Sequence, residues 1–152
     1  MPFDRLVLAM DLWAGQHLNS ADVLMQVGDS DVEPKHTRHV RQLSPGEFRR
    51  ACQDADLLVA HAGMGTVLTA LELGKPLVVL PRLGSKRETR NDHQVATARW
   101  LADRPGIWVA QHEQDLPALL DALMPLPTGT LHRSQSAQPR LIVGLRAFFQ
   151  KD

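Results

Sequence analysis

The run His61-Ala62-Gly63-Met64-Gly65-Thr66 is the segment whose residue types can handle a charged small molecule. It follows the apolar stretch Leu57-Leu58-Val59-Ala60 and precedes a helical pattern, Val67 to Leu73, that stops at Gly74. Gly63 and Gly65 lack Cβ atoms, so backbone N–H groups there can approach a ligand closely. A helix beginning near Thr66 aims its free N–H groups and the positive end of its dipole at the same place. A phosphate or diphosphate is the natural occupant of such a turn. The glycines also have a purely geometric explanation, because a tight strand-to-helix turn needs them for its backbone.

Other chemistry-bearing residues are less pointed. Residues 82–104 carry Arg82, Lys86, Arg87, Arg90, Arg99 and Arg104 against Glu88, Asp92 and Asp103. A charge run is ordinarily a solvated face, but this one sits where an anionic ligand is expected. Asp29-Ser30-Asp31 has the Asp-x-Asp form that places two carboxylates on a divalent cation. It follows an apolar stretch ending at Gly28 and precedes Glu33-Pro34, which favours a turn. His36 and His39 lack carboxylate support, and no histidine pair has a zinc-enzyme spacing, so no metal site is expected. Cys52 is the single cysteine, which excludes an internal disulfide. Arg49 and Arg50 beside it favour a thiolate, whereas a buried packing role is the commoner outcome.

The elements that must position these residues alternate between strand and helix. Phe3, Leu6, Val7, Met10 and Trp13 have helical spacing. Val23 to Val27 reads as a short buried strand and His36 to Leu43 as a weaker one. Ser44-Pro45-Gly46-Glu47 is a helix start, with Ser as N-cap, Pro at the first helical position and Glu reaching back to the cap. Strands at 56–60, 77–80 and 107–109 and helices through 67–73, 95–101 and 116–124 complete the pattern. Strands that are apolar on both faces, each followed by a helix, predict an α/β fold with a doubly wound, mostly parallel sheet. The expected organisation is an α/β domain over residues 1–125, a linker over 126–139 and an amphipathic helix over 140–152. The stripe Leu141, Ile142, Leu145, Phe148 and Phe149 on that helix would close the core or dock on a partner.

Composition removes whole classes of function. The chain has 152 residues, the size of one domain, and its 17 basic and 17 acidic residues balance to zero formal charge. A general nucleic-acid-binding role favours a basic surplus, so no nucleic-acid partner is expected. The longest apolar runs, such as Pro76 to Pro81, fall far short of the roughly 20 residues of a membrane helix. Met1 to Arg5 does not read as a secretory signal. A cytoplasmic location is the expectation.

Taken together, the run His61 to Thr66, Ala70, Gly74-Lys75-Pro76, the apolar strand, Pro81-Arg82 and Asn91-Asp92-His93-Gln94 resembles the C-terminal, donor-binding domain of GT-B glycosyltransferases of the family 28 type. It is similar to the small catalytic subunits of two-part transferases, both the PssE-like exopolysaccharide subunit and the dolichol-pathway UDP-N-acetylglucosamine transferase subunit. The Pro2-Phe3-Asp4-Arg5-Leu6 stretch belongs to the same likeness. The resemblance implies transfer of a sugar, of hexosamine or hexuronic acid type, from a UDP-sugar to a lipid-linked or polysaccharide acceptor with inversion. It places the donor diphosphate on His61, Gly63, Gly65 and Thr66, and the donor sugar near Asp92, His93 and Gln94. Thr69 and Arg82 are the candidates for ribose or phosphate contact, no cofactor or metal is required, and no catalytic base is assigned. A membrane-associated, PssD-like acceptor-binding subunit would be the partner, holding this chain at the membrane periphery. Thr69 stands where family members carry a Glu for the ribose, and the apolar strand and Gly-rich turn that normally precede Pro-Phe-Asp-Arg-Leu are not found. The sheet is therefore expected to lack its first, central strand and to need a longer N-terminus or a partner. The alternative function is a non-catalytic nucleotide-binding or partner-scaffolding module.

Overall fold

The computed structural model describes residues 1–17 and 22–124 and the backbone of a strand at 141–144. In chain order the elements are α1 (Asp4–His17), β1 (Val23–Gln26), β2 (Arg38–Val40), α2 (Pro45–Asp54), β3 (Leu57–Ala60), α3 (Met64–Leu73), β4 (Leu77–Val79), α4 (His93–Leu101), β5 (Ile107–Val109), α5 (Leu116–Leu123) and β6 (Leu141–Gly144). The six strands form one sheet in the order β2-β1-β6-β3-β4-β5, and every pairing is parallel. This is the expected α/β doubly wound sheet.

Side-chain alternation along each strand sorts the core into two layers. Leu57 and Val59 of β3 join Val23, Met25, Val78 and Leu80 beneath α1 and α5, whose Leu6, Val7, Met10, Leu116 and Leu120 fill that side. Leu58 and Ala60 join Leu77 and Val79 on the other face, under Phe48 and Cys52 of α2, Val67 and Ala70 of α3 and Leu101 of α4. Burial on both faces explains why β3 and β4 are apolar at every position. Cys52 is wholly buried in that second layer, and desolvation raises its thiol to about 11 against the opposing charges of Arg49 and Lys75. It packs rather than reacts.

Local chemistry sets the element ends. Ser44 caps α2 as its sequence announces: its hydroxyl accepts from Glu47 N–H at 3.2 Å and Glu47 accepts from Ser44 N–H at 2.8 Å. Gly74 ends α3 in the left-handed conformation, φ 62°, with its N–H turned back on the helix. Buried Asp11 on α1 accepts from Lys35 N–H, His36 N–H and the Thr37 hydroxyl, and so pins the chain between β1 and β2 to the helix.

Two expectations fail at the carboxyl-terminal end. Residues 141–144 are a strand, not the start of a helix over 140–152, and they lie in the middle of the sheet. The run Leu-Ile-Val-Gly is too short for periodicity to separate strand from helix, and the open ladder between β1 and β3 decides the matter. The central strand place is consequently filled, though from the far end of the chain. The expected linker over 126–139 and the residues after Gly144 lie outside the described residues.

Candidate functional site

In an open α/β sheet a crevice forms at the carboxyl edge where the strand order reverses. Here β1 and β2 run to one side and β3, β4 and β5 to the other, so that point lies around β6. Three connections converge on it: 27–30 after β1, 61–63 after β3 and 80–92 after β4.

His61 leaves the end of β3 with only 1% of its surface exposed. Gly63 is the N-cap of α3 and offers no side-chain cap to the first-turn N–H groups. Thr66, one turn in, is also buried, and its hydroxyl has no hydrogen-bond partner; neither ring nitrogen of His61 has one in full geometry. Three buried polar atoms are thus left over at one helix start. An unmet buried polar group costs about 1–3 kcal/mol, so the cluster is poised for a ligand that supplies partners.

The electrostatics agree with an anion. Burial, then the charge of Arg82, lowers the His61 pKa from 6.5 to about 3; Gln94 approaches closely enough to oppose this. The imidazole is therefore neutral, with one N–H to donate. Positive potential comes instead from the α3 N-terminus and from Arg82, whose own pKa is lowered by burial against the charges of Glu88 and Asp29.

The basic loop is not a free solvated face. Arg5 of α1 binds Glu88 through both its Nε and an Nη at 2.8 Å, donates to Glu113 at 2.9 Å and to the Pro81 carbonyl at 2.9 Å. Glu88 is buried and also accepts from Leu83 N–H at 2.9 Å. Arg82 donates to the carbonyls of Met1 and Glu88, and the Arg5 and Arg82 guanidinium groups lie 5.2 and 4.9 Å from the centre of the Phe3 ring. Asp4 takes the Ser30 hydroxyl, so it ties the start of α1 to the connection after β1. Asp4 thus fastens the connection after β1, while Phe3 and Arg5 both hold the connection after β4. Arg87 sits among these contacts at φ 55°, the one non-glycine residue in left-handed backbone among the described residues. Strain of this kind persists only where the surroundings hold it in place.

The remaining sequence candidates sort by position. Gln94 is buried on the first turn of α4, and its amide oxygen accepts from Arg82 N–H at 3.0 Å, so it joins His61 and Arg82. Asp92 and His93 are exposed; the Asp92 carboxylate accepts from Gly84 N–H at 2.9 Å rather than capping α4. The Thr69 hydroxyl is turned back on the Gly65 carbonyl at 3.0 Å. Exposed Asp29 faces the N-terminal ammonium at 3.6 Å, while Ser30 between the two aspartates is buried. Among the described residues no three potential metal ligands come together. Sequence reasoning missed Arg5, Glu88 and Glu113, which lie 83 and 108 residues apart in the chain. A groove of about 470 Å³ runs along α1 and α5, lined by Arg5 and Glu113 together with Leu8, Leu12, Trp13 and Pro117 among others.

Two outcomes follow from this geometry. Glu88→Gln takes the bidentate partner from Arg5 where both side chains are over 90% buried, leaving the guanidinium with Glu113 and the Pro81 carbonyl, and should cost about 2 kcal/mol in urea unfolding. Replacing Arg5 and Glu88 together by Met should recover most of that loss; an equal loss in the double variant would contradict the assignment. The unfolded chain protonates His61 below about pH 6.5 and the folded chain only near 3. The stability from keeping it neutral is thus complete above pH 6.5 and falls by about 1.4 kcal/mol per pH unit as the pH drops through that window. Asp11, Glu47 and Glu113, all held below their ordinary carboxyl values of 3.8 to 4.5, add to the loss only at lower pH. Between pH 6 and 4.5 the wild type should therefore lose stability more steeply than His61→Asn, and parallel slopes would refute the burial argument.

Comparison with known proteins bears on the family of the chain. The model of the glycosyltransferase family 28 C-terminal domain matches residues 2–136. The chain is 36% identical over 69 residues to the UDP-N-acetylglucosamine--N-acetylmuramyl-(pentapeptide) pyrophosphoryl-undecaprenol N-acetylglucosamine transferase of Granulibacter bethesdensis, covering 45% of this chain and 17% of that protein. It is 30% identical over 112 residues to the protein of that name from Acinetobacter baylyi, covering 68% of this chain and 30% of the relative. It is 35% identical over 85 residues to the UDP-N-acetylglucosamine transferase subunit ALG13 of Mus musculus, covering 52% of this chain and 7% of that one. The chain thus spans only a small part of the length of these relatives. No solved structure matches it. With nearly the whole described region covered by one family model, the chain belongs to the glycosyltransferase family 28 C-terminal domains.

Proposed function

We propose that this chain binds the donor of a glycosyl transfer, a UDP-sugar, and acts as the catalytic subunit of an inverting, UDP-sugar-dependent glycosyltransferase. The observation that carries the reading is the set of unpartnered polar atoms on His61 and Thr66 at the uncapped start of α3. Two relatives named for UDP-N-acetylglucosamine transfer support a hexosamine donor. In this reading the leaving diphosphate takes hydrogen bonds from the α3 amides, the His61 N–H and the Thr66 hydroxyl, and Arg82 adds its charge nearby. Donors already in place where negative charge develops stabilise the transition state without reorganising, and no metal is required for that role. Asp92, His93 and Gln94, at the start of α4, are assigned to the sugar. The general base is assigned to the acceptor-binding partner, and the acceptor to the lipid-linked or polysaccharide class.

That partner is proposed to be a membrane-associated, PssD-like subunit, which would keep this chain at the cytoplasmic membrane periphery. No helix among the described residues is long and apolar enough to cross a membrane. The proposed seat is the outer face of α3, where Met64, Leu68 and Leu71 are 45%, 51% and 51% exposed and share one stripe running from the site. A second reading, a non-catalytic partner-scaffolding module, draws on Thr69, whose hydroxyl is already spent on Gly65 where the family pattern has a carboxylate.

Titration calorimetry with UDP and UDP-N-acetylglucosamine separates the readings. Binding should weaken about tenfold, or about 1.4 kcal/mol, in each of His61→Ala and Thr66→Val. A folded chain that binds neither ligand would leave only the scaffolding module. Co-expression with a PssD-like subunit should give a complex that Leu68→Glu breaks without altering UDP affinity; a complex indifferent to that change would move the interface elsewhere.

A further inference from the structure

β1 and β3 flank the site, yet they are not hydrogen-bonded to each other. β1 pairs with β2 and β6, and β3 pairs with β4 and β6, so β6 is the ladder between the two halves of the sheet. Its register sets Gly144 beside Gln26 on one side and beside Ala60 on the other. One residue beyond Ala60 is His61. One residue beyond Gln26 opens the connection whose Ser30 holds Asp4 at the start of α1. The spacing of the two walls is therefore that of two adjacent strand pairs, roughly 9.5 Å, and β6 enforces it. Residues 141–144 also lie outside the 2–136 region that matches the family.

We propose that the strand 141–144 is the positioning element of the His61 site, so that insertion of the tail and formation of the site are one event. The inference rests on the reading of that site as the donor-diphosphate site. Without the strand, β1 and β3 each present a row of N–H and C=O groups beneath α1. Those groups must then either pair with each other, moving the walls together by about one strand spacing, or admit water. Either change removes the enclosure that leaves His61 only 1% exposed. Linkage makes the coupling reciprocal: a ligand that needs the assembled site must hold the tail more tightly.

The test uses the whole chain with a protease site placed between Thr128 and Gly129, cut after folding, with both pieces retained. Dissociation of a labelled 129–152 piece is followed with and without UDP at ten times its dissociation constant. Tail affinity should rise about elevenfold with UDP. A change of less than twofold, while UDP binds the uncut chain, would overturn the proposal and leave the donor site standing. Amide exchange over residues 61–67 is read in the same samples. Faster exchange on tail release supports the coupling, and unchanged protection refutes it; this readout decides the proposal even if UDP fails to bind and the donor reading falls. Should the cut tail never leave, Val143→Pro in the intact chain supplies the released state, since proline removes a ladder N–H from a central strand. Leu120→Ala, a core truncation on α5 in the layer away from α3 and α4, should lower stability while keeping the effect of UDP on the tail.

Discussion

A parallel sheet between two helical layers cannot leave a gap in its middle. Every N–H and C=O on an inner strand edge is shielded from water and must be paired, so the strand between β1 and β3 is a requirement of the architecture. That requirement outranks local preference at residues 141–144, which join a sheet otherwise built from the first 109 residues. It also fixes where the crevice lies. Chain order reverses around this strand, and the carboxyl-edge connections of its two neighbours become the walls of the site.

The walls need a second fastening, because connections are not held by ladders. Arg5 supplies it by joining α1 to the 81–88 loop and to Glu113 through one guanidinium. A buried ion pair of this kind contributes little net stability against a well-packed apolar substitute, since desolvating both charges offsets their attraction. What it supplies is placement. The fork of Arg5 meets both oxygens of Glu88, and a bidentate pair fixes direction as well as distance. Arg82 then hangs from the Glu88 carbonyl, which puts a cation near His61.

Much of the architecture was legible because its causes are local. The capping box at Ser44 and Glu47, the all-apolar runs of β3 and β4 and the glycine stop at Gly74 each announce themselves within four or five residues. The edge strand β2 was faint for a physical reason as well: Arg38 and His39 are exposed, so its pattern carries little burial signal. The glycine turn at His61 was legible as an anion-binding shape. Its unpartnered hydroxyl and imidazole were not, because burial of His61 depends on three connections meeting in space. Arg5 and Glu88 were invisible as a pair for the same reason, and Glu88 even looked like a minor acid in a basic run. The resemblance places Gln94 near the donor sugar, but its grip on the Arg82 backbone needs β4 and α4 side by side. The C-terminal strand read as part of a helix because its four residues are too few for periodicity to separate the two.

The neutral state of His61 bears on how such a site handles charge. An imidazolium in this position would sit beside Arg82 in a desolvated pocket, and both effects push its proton off. A neutral imidazole still donates one hydrogen bond, but it adds no fixed charge. The positive field is left to the α3 amides and to Arg82, neither of which titrates near neutral pH. An anion bound there would meet the same donors across the whole physiological range. A leaving diphosphate, which gains charge as the glycosidic bond breaks, would find those donors already oriented by the helix. The fold thus spends its burial on keeping His61 uncharged and its backbone dipoles on attracting the anion. This division requires the strand register, the Arg5 fork and the uncapped helix start to hold together.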